Sequence, residues 1–428
     1  MTRFAAVAVR LIGAVLTVSL ASASWSDTPA AQQARFRSAV DVIAVDVQVI
    51  DKDGYPIAQL GPESFEVSIN GHKRKVVSAQ FLRHTRNVTR ADAMLPDSLA
   101  ETPVADGRTV VLAVDNGSFE TGSASEAMTA LKSFVARLEP ADRVGLFVFP
   151  TGVWIPPTTD RSSVGIRLDR TIGEKQAIRS SFNLSVSEIV DITAQSTNPN
   201  SFLTMRNTAP VDDATLVQMD PVRAVRSREC PGEADCMARI YAEGLTLAVQ
   251  LEQQTQASLQ GLEDLLARLT TLPGRKSVLL VSAGVLVSDR PDGRPRIGDV
   301  GRLLGQIAAR ANAVVYTIHV DSHTPGYGSA SQRGVGRSER GRERTMQASF
   351  LDEFSSAAGG SRLYVGVGAG ESAFDRVLRE ASAHYLLGVE PADQDRDGKA
   401  RQLRVKVARR GVTVRNRQWV LVPARDRS

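Results

Sequence analysis

The feature that most constrains this chain begins at Arg108. An apolar run from Thr109 to Val114 ends on Asp115, and a small polar loop, a helical pattern and a second apolar run, Arg143 to Phe149, follow. Runs that are apolar throughout, and not only at alternate positions, read as strands covered on both faces. Between them Met128, Leu131, Phe134, Val135 and Leu138 recur at helical spacing, and Pro140 closes the pattern. Strand, helix and strand in that order imply a parallel pair joined by a crossover, and so an α/β sheet clothed by helices.

The alternation returns further on. A long helix from Met237 to Leu269 carries Leu259, Leu262, Leu265, Leu266 and Leu269 on one stripe. Strand Ser277 to Ser282, helix Val300 to Ala311, strand Ala313 to Val320, helix Thr345 to Ala358, strand Leu363 to Val365 and helix Glu371 to Ala383 complete it. Val153 to Ile155 fits a short antiparallel edge. Residues 108–383 therefore form one α/β domain, with an irregular insertion at about 160–235 and a Gly/Ser/Arg-rich loop at 322–346 expected to be solvated and mobile. Open α/β sheets hold ligands outside the C-terminal ends of their strands, which makes Asp115, at a strand tip, the first candidate site residue.

The flanks read differently. Residues 34–85 carry period-two alternation from Ala44 to Ile50 and a hairpin signal, Phe65 to Ile69, Asn70-Gly71 and Lys75 to Phe81. Residues 86–107, with Pro96, Pro103 and Gly107, read as a linker. Residues 384–424 return to strands at Tyr385–Glu390, Gln402–Ala408 and Val412–Val422. Small sheets are marginal alone, so both flanks are expected to pack together as one β-rich, sandwich-like domain.

Residues 1–23 combine Arg3 and Arg10, an apolar run from Leu11 to Leu20 and a small-x-small site at Ala21 to Ala23, the pattern of a cleaved secretory signal. No later run has spanning length, so the mature chain is expected to be periplasmic or secreted, with no membrane span. In an oxidising compartment the only two cysteines, Cys230 and Cys236, separated by a Pro-Gly turn, read as a local disulfide. The net charge of +5 is small for 428 residues and argues against nucleic acid as a partner.

No nucleophile elbow, phosphate loop or zinc-helix pattern appears, and the five histidines are scattered. The glycines from Gly366 to Gly370 imitate a dinucleotide fingerprint with the wrong spacing, and Asp393 to Gly398 opens like a Ca²⁺ loop without its closing Glu.

The strand ending in Asp115, the run Ala124 to Phe149 and the stretch Leu272 to Gly284 resemble a von Willebrand factor type A domain. Nearly the whole mature chain is similar to the VWFA-related proteins common in Acidobacteria. The matching stretches are Val47–Ile57 with Glu63–Val67, Ser187–Ile192, the Cys230/Cys236 region, Ala357–Gly360, Tyr385–Val389, Asp397–Lys399, Val405–Val407 and Gly411–Arg415.

The resemblance implies a Rossmann-like domain with a central, mostly parallel sheet. It also implies a divalent cation, such as Mg²⁺, held by an Asp-x-Ser-x-Ser loop, a Thr and a second Asp, with an open position for a partner's carboxylate. Here that loop reads Asp115, Asn116, Gly117, Ser118, Phe119, and the third loop reads Ser282, Ala283, Gly284. Asp115 and Ser118 are the residues left to hold a metal, with Thr158, Thr159, Ser185 and Ser187 as candidate hydroxyl donors. The expected function is a non-enzymatic adhesion or scaffold module with a degenerate metal site and no resident cofactor. It would bind a protein partner through loops 115–123, 158–161 and 283–289. The alternative is a metal-dependent envelope enzyme, or an enzyme accessory, with a divalent cation at Asp115.

Overall fold

The computed structural model describes residues 42–84, 107–197, 221–320, 337–366 and 370–424. The proposed signal (1–23), nearly all of the proposed linker and residues 321–336 lie outside the described residues.

Fourteen strands and eight helices are described in this range. The strands are β1 (Ile43–Ile50), β2 (Phe65–Ile69), β3 (His72–Arg74), β4 (Val76–Arg83), β5 (Thr109–Asp115), β6 (Arg143–Phe149), β7 (Val153–Thr158), β8 (Lys276–Ser282), β9 (Ala313–Val320), β10 (Arg362–Val365), β11 (Ala383–Val389), β12 (Ala400–Val407), β13 (Thr413–Asn416) and β14 (Trp419–Leu421). The helices are α1 (Ser125–Ala136), α2 (Ser162–Asp169), α3 (Val186–Thr197), α4 (Pro221–Glu229), α5 (Cys236–Thr270), α6 (Val300–Arg310), α7 (Arg337–Ala357) and α8 (Gly370–Glu380).

The fold is mixed α/β. Six strands in the order β10-β9-β8-β5-β6-β7 make one sheet, parallel except for the edge strand β7. Because residues on a strand alternate between faces, β5 feeds two cores. Val110, Leu112 and Val114 pack with α1, α2 and α8 through Leu131, Phe134, Leu168 and Phe374. Val111 and Ala113 pack with α5, α6 and α7 through Leu262, Leu266, Leu304 and Phe354. The chain turns one way from β5 to β6 and the other way to β8, so the topological switch lies between β5 and β8.

Two antiparallel sheets, β13-β1-β11-β4 and β14-β12-β2-β3, share a third core. Val45, Val47 and Val49 of β1 and Tyr385 and Leu387 of β11 meet Phe65, Val67 and Ile69 of β2 and Leu403 and Val405 of β12. The sequence places β1 and β11 at opposite ends of the described chain, and they pair from Ile43↔Val389 to Val47↔Tyr385.

The outer face of β1 turns to the starts of the parallel strands. Asp46 accepts from Arg417 at 2.9 Å and lies near Arg275, just before β8. Gln48 accepts from the hydroxyl of Tyr316 at 2.7 Å and donates to the Glu380 carbonyl. His84 and His384 stack in the same seam with centroids 4.9 Å apart. Burial pushes the His84 pKa down to about 4 and the His384 pKa further, to about 2, with the Arg275 charge adding to both.

Three expectations need correction. The hairpin closes with His72–Arg74 as its second strand, Ile69 opposite His72. After Lys75 the chain crosses to the other sheet, where Val76–Arg83 pairs with β11. The run Val412 to Val422 is two strands in different sheets, broken where Arg417 turns inward to Asp46 and the Gln418 N–H donates to the Ala357 carbonyl. Residues 337–346, expected within a mobile loop at 322–346, are helical, because Arg342 forks onto Asp191 and Asp289 and Glu343 is buried.

Candidate functional site

Asp115 ends β5 at the topological switch, one position beyond the Val114↔Val281 pair, which sets it beside Ser282 at the tip of β8. It is 1% exposed. Three serines surround it. Ser258, on α5, donates to the carboxylate at 3.0 Å, and Ser282 donates to Oδ2 at 3.0 Å. Ser118 donates to the Asp115 carbonyl at 2.7 Å and accepts the Ala283 N–H at 2.8 Å, tying the first loop to the third. Burial raises the Asp115 pKa to about 7, against the pull of the Ser282 and Ser258 hydrogen bonds and the Lys175 charge.

The fit to a divalent cation is poor on the chemistry of these donors. A hard ion needs several oxygens with free lone pairs converging on one point. Here a single carboxylate has both oxygens taken by hydroxyls, and the hydroxyls spend their protons on Asp115 instead of turning lone pairs to a shared centre. Among the described residues no cluster of three His, Cys, Asp or Glu side chains is arranged to hold a metal.

None of the other proposed hydroxyl donors bonds to Asp115. Thr158 pairs with Val144 near the start of β6, so β7 carries it to the opposite edge of the sheet from Asp115. The loop at 158–161 therefore does not belong to the Asp115 edge, and Arg161 instead caps the carbonyls of Val135 and Leu138 at the end of α1. Ser185 and Ser187 hydrogen-bond each other, and Glu343 accepts the Ser187 N–H at 3.1 Å.

In place of 158–161 the structure brings the segment 171–176. Asn116 Oδ1 accepts the Gly173 N–H, the Asn116 carbonyl accepts the Glu174 N–H, and the Phe119 carbonyl accepts the Lys175 N–H. Gly173 has φ +89°, and any side chain there would strike the Glu120 carbonyl, so only glycine permits this approach. The result is that Lys175 enters a cavity of about 140 Å³ beside the switch, between α3, α5 and α7.

Ser258 and Lys175 were both missed in the sequence. The signal for Ser258 was present: Thr255 and Ser258 interrupt the buried stripe of α5 that Leu251 and Leu262 otherwise continue. No comparable signal marked Lys175.

Cys230 and Cys236 lie at disulfide distance, with Cα atoms 6.5 Å apart, and join the end of α4 to the start of α5. This is compatible with an extracytoplasmic protein. Among the described residues no helix is long and apolar enough to cross a membrane. No protein-family model matches the sequence, and no curated protein matches it.

Proposed function

We propose that this chain is a non-enzymatic protein-interaction module of the type A kind that its sequence resembles, acting in the periplasm or outside the cell as an adhesion or scaffold component. The observation that carries this reading is the closure of Asp115. A strand-tip acid whose oxygens are all taken by buried hydroxyls is poorly placed for proton transfer or metal chemistry. What remains for a partner is the set of loops around it, held by a rigid sheet as recognition loops usually are.

Residues 120–123, 170–174 and 283–289 make up that edge. Ile172, 57% exposed, stands on it and accepts the Gly122 N–H through its carbonyl.

The test is capture from envelope extract on immobilised protein, comparing wild type, a Thr121→Lys/Ile172→Glu variant and a Thr159→Lys control at the opposite edge. A protein retained by wild type and the control but lost with the edge variant is the expected result. Equal recovery by all three would sink the assignment of this edge.

A further inference from the structure

The cavity beside the switch holds polar groups that the fold does not use. Lys175 Nζ makes no hydrogen bond or ion pair with any described residue, although the charges of Glu120, Asp115 and Glu343 act on it. Glu343 spends Oε1 on Ser187, and its Oε2 has no hydrogen bond among the described residues. The Gln347 side chain, one turn further along α7, likewise makes no hydrogen bond among the described residues. The lining also includes aliphatic side chains, Ile189 of α3, Leu251 of α5 and Leu286 after β8.

Such an arrangement leaves two opposite charges open to an entering molecule. An ammonium and a carboxylate lining one small cavity would normally close on each other, because a charge-assisted pair is the stronger contact. They do not, and both are held apart by other bonds. Lys175 is fixed by its backbone bond to Phe119, and Glu343 by the first turn of α3. The cavity is thus lined both by opposite charges and by apolar side chains. A single water needs roughly 10–15 Å³ measured in the same way, so the cavity has room for a molecule of about ten non-hydrogen atoms.

We propose that this cavity binds a small zwitterion, a free α-amino acid with an aliphatic side chain. Lys175 takes its carboxylate, Glu343 and Gln347 take its ammonium, and Ile189, Leu251 and Leu286 take the side chain. The site shares Leu286 with the edge loops, but its charged groups, Lys175 and Glu343, lie outside them, so leucine binding and partner capture are tested independently.

The experiment is calorimetric titration of the full chain with L-leucine, and with isovalerate and isoamylamine as analogues carrying one charge each. Wild type should bind leucine, and each analogue should bind about ten-fold more weakly or worse, as loss of one charge-assisted contact requires. Lys175→Met and Glu343→Gln should each weaken leucine binding by a similar factor. Glutamine keeps the Oε1 acceptor for Ser187, so that variant tests the charge without removing the helix contact.

Amine acylation of wild type, read by mass spectrometry, gives a measure free of any substitution: leucine should slow modification of Lys175 specifically. Absence of leucine binding at millimolar concentration would overturn the proposal. So would equal affinity for either analogue, equal binding by both variants, or unprotected Lys175.

Discussion

At the scale of single residues, Asp115 is a carboxyl kept where its charged form is disfavoured. Its folded pKa, near 7, lies above the ordinary carboxylate value that the unfolded chain restores. Between about pH 4 and pH 7 the folded state then holds the extra proton, so unfolding becomes easier as the pH rises through that window. The contribution is fully favourable below the unfolded value and is lost by the time the pH passes the folded one, by up to about 4 kcal/mol. In Asp115→Asn this component disappears, and the Ser258 and Ser282 hydroxyls can rotate to meet the amide. Urea unfolding of both proteins at pH 5 and pH 8 should show wild type losing more stability than the variant. Parallel pH dependence in the two would refute the assignment.

Asp115 itself was legible in the sequence, because an acid that closes an apolar strand in an α/β pattern marks the strand's C-terminal tip. Its partners were not legible, since a hydroxyl from a helix more than a hundred residues later reaches it only once the sheet has formed.

At the scale of elements, α5 shows how closely a helix and a sheet can be fitted. Gly261 lies where α5 crosses the end of β6, and a Cβ there would overlap the Phe149 ring. Helix propensity favours alanine over glycine by about 1 kcal/mol, while overpacking costs about 1–3 kcal/mol. The clash extends to Phe149 Cβ, so the ring cannot simply swing away and the steric cost prevails. Gly261→Ala should therefore lower stability, whereas Gly165→Ala in α2, where a Cβ meets nothing within 4 Å, should raise it by about 0.5–1 kcal/mol. Denaturant midpoints of the two variants should move in opposite directions, and shifts of the same sign would show that the contact with Phe149 does not decide the outcome.

Periodicity located most of these elements. Long apolar strands and the leucine stripe of α5 carry their own pattern, and α5 spans Cys236–Thr270 where the stripe placed Met237 to Leu269. The pattern failed where a short segment changes sheets, at Lys75 and at Arg417, because alternation specifies faces and says nothing of which neighbour a strand finds. It failed again on the arginines of 337–346, whose helix is fixed by ion pairs to Asp191 and Asp289.

At the scale of the whole molecule, the seam between the sandwich and the parallel sheet is polar and buried, and it lies at the opposite edge from Asp115. Tyr316→Phe would leave Gln48 Oε1 without its donor, at a cost of about 1–3 kcal/mol. The histidines make the seam sensitive to acid. His84 is held below its unfolded pKa of about 6.5, so between about pH 6.5 and pH 4 the unfolded chain binds a proton that the folded one refuses. Stability contributed by the neutral pair is thus complete above that window and falls as the pH drops through it, by about 3 kcal/mol for His84 alone. Hydrogen exchange at pH 7 and pH 5 should show strands β1 and β11 losing protection first on acidification, ahead of β5 and β8. Loss beginning in β5 instead would place the acid-labile point elsewhere.

The pairing of β1 with β11 also sets a schedule. Gln48 and Glu380, which meet in the seam, are 332 residues apart in sequence. As the chain emerges during synthesis, β1 must wait with Val45, Val47 and Val49 uncovered until almost everything else has been made. The parallel sheet, whose strands all lie between β1 and β11, can close earlier and bring residues 84 and 382 together, as the bond from the His84 N–H to the Ser382 carbonyl records. It thereby shortens the loop that the sandwich has to bridge. A nascent chain arrested before β11 would carry a finished α/β domain and an unpaired, valine-rich strand, the form of this protein most in need of a chaperone.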